Sequence, residues 1–80
     1  MWGVPTIYVE GGYAFRFHSA DAEEPPHIHV YGHGGEAKFW IPHDGPVSSR
    51  GYNRRELKRM ASIIEAHADE FLERWHEFFG

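Results

Sequence analysis

The first half of the chain carries the alternation of polar and apolar residues that is typical of β-strands. Residues 6–9 (TIYV) are β-branched or aromatic, and residues 13–18 (YAFRFH) alternate between the two classes. Between these segments, Gly11 and Gly12 can supply the positive φ angles of a two-residue turn. The pattern therefore predicts a β-hairpin.

A second hairpin is predicted further along the chain. Residues 27–31 (HIHVY) and 36–41 (EAKFWI) alternate in the same way, and the glycine-rich residues 32–35 (GHGG) between them can form the turn. The two hairpins together predict four antiparallel strands, all within residues 5–41.

The last third of the chain predicts one helix over residues 53–79. Asn53 suits the N-cap, Glu56 has the capping-box position three residues later, and Tyr52 can pack against Leu57. Apolar residues then recur at three- and four-residue steps: Leu57, Met60, Ile64, Ala68, Phe71, Trp75 and Phe78. This stripe predicts that one face of the helix packs on the sheet.

The predicted helix is long for so small a chain. A continuous helix from Arg54 to Phe79 would measure about 39 Å, whereas the radius of gyration expected for 80 residues is about 12 Å. We therefore expect the helix to bend, to overhang the sheet or to meet a partner. The overhanging part would be its aromatic end, from Trp75 to Phe79, so a homodimer contact through this end is a prediction.

Residues 42–51 connect the predicted sheet to the predicted helix. They include two prolines, two glycines and two serines, a composition that predicts an irregular link. With this link, residues 1–80 are predicted to form a single α+β domain. Its four-stranded antiparallel sheet, built from two β-hairpins, carries one long C-terminal helix on one face.

Composition narrows the classes of protein that the chain can represent. Hydrophobic residues make up 41% of the chain, yet no apolar stretch approaches the ~20 residues of a membrane span, so we expect a cytoplasmic protein with no membrane partner. The absence of cysteine excludes disulfides and thiolate metal sites. A net charge of −4 argues against a large basic surface for nucleic acid. Seven histidines are the unusual feature.

Strand alternation also divides the predicted sheet into two faces. The face that meets the helix takes the apolar residues Phe15, Phe17, Ile28, Val30, Ala37, Phe39 and Ile41. The opposite face takes a cluster of polar and aromatic residues: Arg16, His18, His27, His29, Glu36, Lys38 and Trp40. The cluster forms only if the second and third strands lie in one sheet.

One interpretation of this cluster is a metal site. His27 and His29 are two residues apart on a strand, so their imidazoles point the same way, as two ligands of Zn²⁺ or another divalent metal can do. His33, His18 or Glu36 would complete the site.

A second interpretation is metal-independent cleavage of RNA. His27 and His29 would act as general base and general acid, while Lys38 and Arg16 would stabilise the charge on the phosphate. Trp40 and Tyr31 could stack on a base, as aromatic side chains commonly do with single-stranded RNA. This reaction needs no cofactor.

A third interpretation assigns no chemistry to the cluster. One face of an antiparallel sheet is usually solvated, and the cluster would then be a set of cross-strand neighbours. The chain would be a non-catalytic interaction module that binds a co-encoded small protein through a sheet edge or through residues 75–79.

Five segments resemble one known family. They are PTI at residues 5–7, GGY at 11–13, EPPHIHV at 24–30, GEAKFW at 35–40 and WHEFF at 75–79. They look like a family of small bacterial proteins with the domain of unknown function 4160. The resemblance implies a small co-encoded partner and a place in toxin-antitoxin-like pairs. It carries over to His27, His29, Glu36, Lys38 and Trp40 but not to His18 or His33.

We therefore expect a toxin-antitoxin-type component that acts on RNA as a metal-independent ribonuclease. The expected catalytic residues are His27, His29, Lys38 and Arg16. The expected substrate-binding residues are Trp40, Tyr31 and Glu36. Metal binding by His27 and His29, with His33, is the first alternative, and an interaction module is the second.

Overall fold

The computed structural model of the chain describes residues 6–42 and 45–80. The predicted start of the strands at Pro5 lies outside these residues, as do His43 and Asp44 of the predicted link. The described residues form an α+β fold with an antiparallel sheet and C-terminal helices, which confirms the predicted fold class.

The sheet has five strands, one more than the sequence pattern predicts. They are β1 (Thr6–Glu10), β2 (Tyr13–Arg16), β3 (His27–Gly32), β4 (Gly35–Trp40) and β5 (Pro46–Arg50). Neighbours along the chain are neighbours in the sheet, and every pair is antiparallel. A short 3-10 helix, Ser19–Glu23, lies in the connection from β2 to β3.

The prediction of an irregular link over residues 42–51 is wrong, because β5 lies within it. All five side chains of this edge strand are exposed, so no alternation of buried and exposed positions marks it in the sequence. Backbone pairing with β4 holds the strand instead. Pro46 is tolerated because it is the first residue of an edge strand, where a missing amide donor costs little.

The C-terminal segment is two helices rather than one continuous helix, and the expected bend is a break between them. The structure has α1 (Arg54–Ala66) and α2 (Ala68–Phe79), separated at His67, where φ is −115° and ψ is 16°. The His67 ring packs 4.3 Å from the ring of Tyr8 and 5.6 Å from that of Phe71. The break lets the helical segment follow the sheet, and the Cα radius of gyration is 11.7 Å.

The predicted start of the helix is confirmed in atomic detail. The Asn53 side chain accepts a hydrogen bond from the amide of Glu56 at 2.8 Å. The Glu56 carboxylate in turn accepts one from the amide of Asn53 at 3.0 Å. This reciprocal pair satisfies two amides that the first turn of a helix leaves without partners.

The core lies between the two helices and the sheet face that the alternation assigned to them. Its buried residues are Tyr13, Phe15, Phe17, Ile28, Val30, Ala37, Phe39, Ile41, Met60, Ile63, Ile64, Phe71 and Trp75. In the described part of the chain, no helix is long and apolar enough to cross a membrane.

The aromatic end of α2 packs on this core, whereas the length of the predicted helix suggested that it would overhang the sheet. The ring of Trp75 lies 5.2 Å from that of Phe17, and the ring of Phe79 lies 6.1 Å from it. Phe78 is 44% exposed. A homodimer contact through this end stays a prediction, and Phe78 is the side chain that would offer apolar surface to it.

Candidate functional site

The sheet face opposite the helices, called here the open face, carries two rows of cross-strand neighbours. The central row contains Arg16, His29, Lys38 and Ser48, which are opposite one another on β2 to β5. The outer row contains Ala14, Tyr31, Glu36 and Arg50 on the same strands. Directly opposite residues in antiparallel strands point to the same side. The second and third predicted strands are therefore neighbours, as the polar cluster required.

An open groove of about 350 Å³ lies over the parts of these two rows that β3, β4 and β5 carry, and neither Arg16 nor Trp40 lines it. Its lining residues are His18, His29, Tyr31, Glu36, Ala37, Lys38, Ser48, Ser49 and Arg50. The groove therefore brings together four predicted site residues, His29, Lys38, Tyr31 and Glu36.

The His18, His29 and Tyr31 side chains form a connected group in the groove. The imidazoles of His18 and His29 are stacked, with centroids 3.7 Å apart and 5° between the ring planes. His18 Nε2 shares a hydrogen bond of 2.9 Å with the Tyr31 hydroxyl. Three side chains that can accept or donate a proton therefore lie together: His18, which follows β2, and His29 and Tyr31 of β3.

Two cations lie in the central row on either side of His29. The guanidinium of Arg16 lies 5.5 Å from the centre of the Tyr31 ring. Its Nε atom is buried, and no hydrogen-bond acceptor reaches it among the residues that the structure describes. The Lys38 ammonium lies 2.6 Å from a carboxylate oxygen of Glu24 and 5.1 Å from the centre of the Trp40 ring. A ligand phosphate would compete with Glu24 for Lys38.

The outer row ends in an ion pair at the β5 edge. A terminal nitrogen of Arg50 lies 3.0 Å from a carboxylate oxygen of Glu36. The side chains are 80% and 46% exposed, respectively, so both are accessible from the groove.

His27 differs from the sequence expectation, because it is fully buried rather than exposed on the open face. Its Nδ1 donates a hydrogen bond of 2.9 Å to the carbonyl of Pro25. Its ring lies 5.7 Å from that of Trp40 and 5.2 Å from that of Trp75, which reaches it from α2. His27 supports His29, whose ring is 5.1 Å away, but it does not line the groove.

The structure does not bring together the three histidines of the metal alternative. His33 lies in the turn after β3, with φ of 50°, and donates from Nε2 to the carbonyl of Gly11 at 2.9 Å. His27 begins β3, so the two residues are separated by the length of the strand, about 16 Å. Within residues 6–42 and 45–80, no group of three or more histidines and carboxylates is placed to hold a metal ion.

Sequence reasoning missed the contribution of β5 to the groove. Ser48, Ser49 and Arg50 belong to the segment that was expected to be irregular. The signal that could have found them is the pair of glycines, Gly45 and Gly51, that bracket a five-residue segment. Both have positive φ angles, as turn residues at strand ends commonly do.

A second polar cluster lies on the helix side, where β2 meets α1. The Tyr13 hydroxyl donates to the Glu56 carboxylate at 2.9 Å. Burial, together with this bond, raises the pKa of Tyr13. The hydrogen bond from the Asn53 amide, helped by that of Tyr13, lowers the pKa of Glu56. This cluster couples the helix cap to the sheet.

The comparisons with known proteins identify one family. The model of the domain of unknown function DUF4160 matches residues 12–76. The chain belongs to the DUF4160 family. The match confirms the resemblance inferred from the sequence segments. The matched residues of this DUF4160 domain include both rows of the open face, on β2 to β5. No curated protein and no solved structure matches the chain.

Proposed function

We propose that this DUF4160 domain is a toxin-antitoxin-type component that cleaves RNA in the groove without a metal ion. The observation that carries the proposal is the stacked pair of His18 and His29, hydrogen-bonded through His18 to Tyr31. The pair lies beside Arg16 and Lys38 of the central row. Proton-transfer groups next to cations are what metal-independent phosphodiester cleavage requires.

His29 is the general base in this mechanism. It removes the proton from a ribose 2′-hydroxyl, and the 2′-oxygen attacks the adjacent phosphorus as the bond to the 5′-oxygen breaks. Tyr31, hydrogen-bonded to His18, donates the proton that the leaving 5′-oxygen takes up. The products are a 2′,3′-cyclic phosphate and a 5′-hydroxyl. His29 and Tyr31 are two residues apart on β3, about 6.6 Å, which leaves room for a phosphate between them.

The two cations of the central row bind the phosphate in this mechanism. Arg16 and Lys38 flank His29 on the neighbouring strands, so they can stabilise the negative charge that grows on the phosphate oxygens. Trp40, half-buried beside Lys38, offers a ring on which a neighbouring base can stack. The ring of His27 is fully buried and packs against the ring of His29. This contact limits the orientations that the His29 ring can adopt.

The experiment is cleavage of labelled single-stranded RNA of mixed sequence by the untagged protein in excess EDTA. We expect the wild type to release products with 2′,3′-cyclic phosphate ends. His29→Ala should lose at least about 100-fold in rate, the usual contribution of a general base. The matched control is His76→Ala, which removes an exposed histidine of α2 away from the groove. Equal inactivity of the wild type and His29→Ala on all RNAs, or loss of cleavage in EDTA, would contradict the proposal.

The metal alternative has less support from the geometry. A metal bound by two imidazoles lies in both ring planes, at the point where their nitrogen lone pairs converge. In the expected pair of His27 and His29, His27 is fully buried and its Nδ1 is bonded to the carbonyl of Pro25. His18, a further candidate ligand, has its ring parallel to that of His29, so the lone pairs of these two rings do not converge. The third expected ligand, His33, lies beyond the far end of β3 from His27.

The toxin-antitoxin part of the proposal requires a small co-encoded partner. Support comes from β5, an edge strand with five exposed side chains, among them Val47 at 43% exposure. Such an edge can accept a strand from another protein. Analytical ultracentrifugation of the chain alone and with the co-encoded protein tests this. A mass equal to one copy of each chain supports the pair, a dimer of the chain alone supports the contact at Phe78, and a monomer in both samples contradicts both.

A further inference from the structure

We propose that Glu36 and Arg50 select guanine in the groove, so that the substrate is single-stranded RNA cleaved next to guanosine. This inference rests on the proposed function and adds to it the identity of the base. It concerns Glu36 and Arg50 of the outer row, whereas the two proposed phosphate contacts, Arg16 and Lys38, lie in the central row.

The position of the ion pair suits recognition of a base next to a phosphate bound by the central row. Glu36 is opposite Tyr31 on β4, and Arg50 is opposite Glu36 on β5. Along β4, Glu36 is two residues from Lys38, about 6.6 Å. Arg50 is two strands from β3, about 9.6 Å. A nucleotide with its phosphate over His29 can therefore extend its base toward the β5 edge of the groove.

The chemistry of the pair matches guanine better than the other bases. Guanine presents two adjacent N–H donors on its Watson–Crick edge and two acceptors, O6 and N7, on its major-groove edge. A carboxylate such as Glu36 accepts two donors, and a guanidinium such as Arg50 donates two hydrogen bonds in parallel. Adenine, cytosine and uracil each lack one of these two matched sets. Single-stranded RNA leaves both base edges open to such contacts.

The backbone around the pair holds β5 close to β4 and so limits where Arg50 can lie. Gly35 makes this approach possible, because a Cβ atom at this position would lie 2.7 Å from the carbonyl oxygen of Arg50 and 2.6 Å from a ring carbon of Tyr52. The Tyr52 hydroxyl also donates to the carbonyl of Gly32 at 2.9 Å. The backbone of Arg50 is thus positioned before any ligand binds, which lowers the cost of ordering the site.

The test uses short single-stranded RNAs that are identical except for the base on the 5′ side of the one cleavable phosphate, the other riboses being 2′-deoxy. We expect kcat/KM for guanosine to exceed that for the other three nucleosides by on the order of tenfold. Glu36→Gln should lose this preference, so that the ratio of kcat/KM for guanosine to that for the other three nucleosides falls to about one. Glu73→Gln, which removes an exposed carboxylate from α2, is the matched control and should keep the preference.

Inosine separates recognition by Glu36 from a general charge effect, because it lacks the 2-amino group of guanosine. Inosine should reduce kcat/KM for the wild type and leave it unchanged for Glu36→Gln. Equal cleavage next to all four bases overturns the guanine inference and leaves the ribonuclease in place. Failure to cleave any of the RNAs overturns both.

Discussion

The imidazole of His18 lies parallel to that of His29, with ring centroids 3.7 Å apart. The two residues come from different parts of the chain: His18 follows β2, and His29 lies within β3. The contact depends on the pairing of β2 with β3 in the register that places Arg16 opposite His29. The stacked pair is therefore a product of the tertiary fold, and each ring limits the orientations open to the other.

A first prediction is that the two histidines act as one unit in RNA cleavage. His29→Ala removes the proposed general base. His18→Ala removes the ring that orients His29 and the hydrogen-bond partner of the Tyr31 hydroxyl. Each single variant should lose about 100-fold or more in kcat, and the double variant should lose little further, because groups that act together are not additive. Single-turnover rates measure this, and losses that multiply in the double variant would show two independent roles.

A second prediction concerns Glu24, which pairs with Lys38 at 2.6 Å where the proposed phosphate would bind. Glu24→Gln leaves Lys38 without this charge, so uncleavable 2′-O-methyl RNA should bind several-fold more tightly at low salt. The slope of log affinity against log salt should steepen by about 0.7, the value for one further phosphate contact with a single strand. Fluorescence anisotropy over a salt series measures both quantities.

The matched control for this prediction is Glu23→Gln. Glu23 is exposed at the end of the short 3-10 helix, and the substitution makes the same change in net charge. If Glu23→Gln and Glu24→Gln strengthen RNA binding equally, the effect comes from the change in net charge, and the contact between Glu24 and Lys38 does not control RNA binding.

A third prediction distinguishes the structural role of His27 from the proposed catalytic role of His29. His27 is fully buried between Trp40 and Trp75, so His27→Ala should leave a cavity and lower the free energy of unfolding by about 2 to 4 kcal/mol. His29→Ala, at a half-buried position in the groove, should cost less than about 1 kcal/mol. Urea denaturation measures both. A smaller loss for His27→Ala than for His29→Ala would contradict the structural part assigned to His27.

Local patterns predicted the parts of this fold that depend on local interactions. The two hairpins follow from strand alternation and glycine turns, and the helix start follows from Asn53 and Glu56. β5 was missed because backbone pairing with β4 holds it while its side chains face solvent. A bend was expected from the length of the helix, but its position at His67 was missed. The sequence position of His67 continues the helical pattern, whereas the contact of His67 with Tyr8 is tertiary.

Of the candidate site, the sequence predicted only what strand alternation gives, which is the face of the sheet on which each side chain lies. Alternation correctly assigned His29 and Lys38 to the open face. It could not show that Trp75 reaches the ring of His27 from α2, since alternation gives the side of a sheet and not the depth of burial. Nor could it show that Arg50 ends beside Glu36, because that contact depends on the fifth strand.

The last prediction uses the lowered pKa of Glu56, which accepts hydrogen bonds from the Asn53 amide and the Tyr13 hydroxyl. A carboxyl whose pKa is lower in the folded state stabilises the fold above its unfolded value of 4.5, and this contribution is lost as pH falls through the folded value. Glu56→Gln should therefore be less stable than the wild type at neutral pH, and the difference should shrink as pH falls below 4.5. Urea midpoints across this pH range measure it. Glu73→Gln, at an exposed site on α2, should keep the pH dependence of the wild type. A difference between wild type and Glu56→Gln that does not change with pH would mean that the carboxylate charge contributes nothing to the cap.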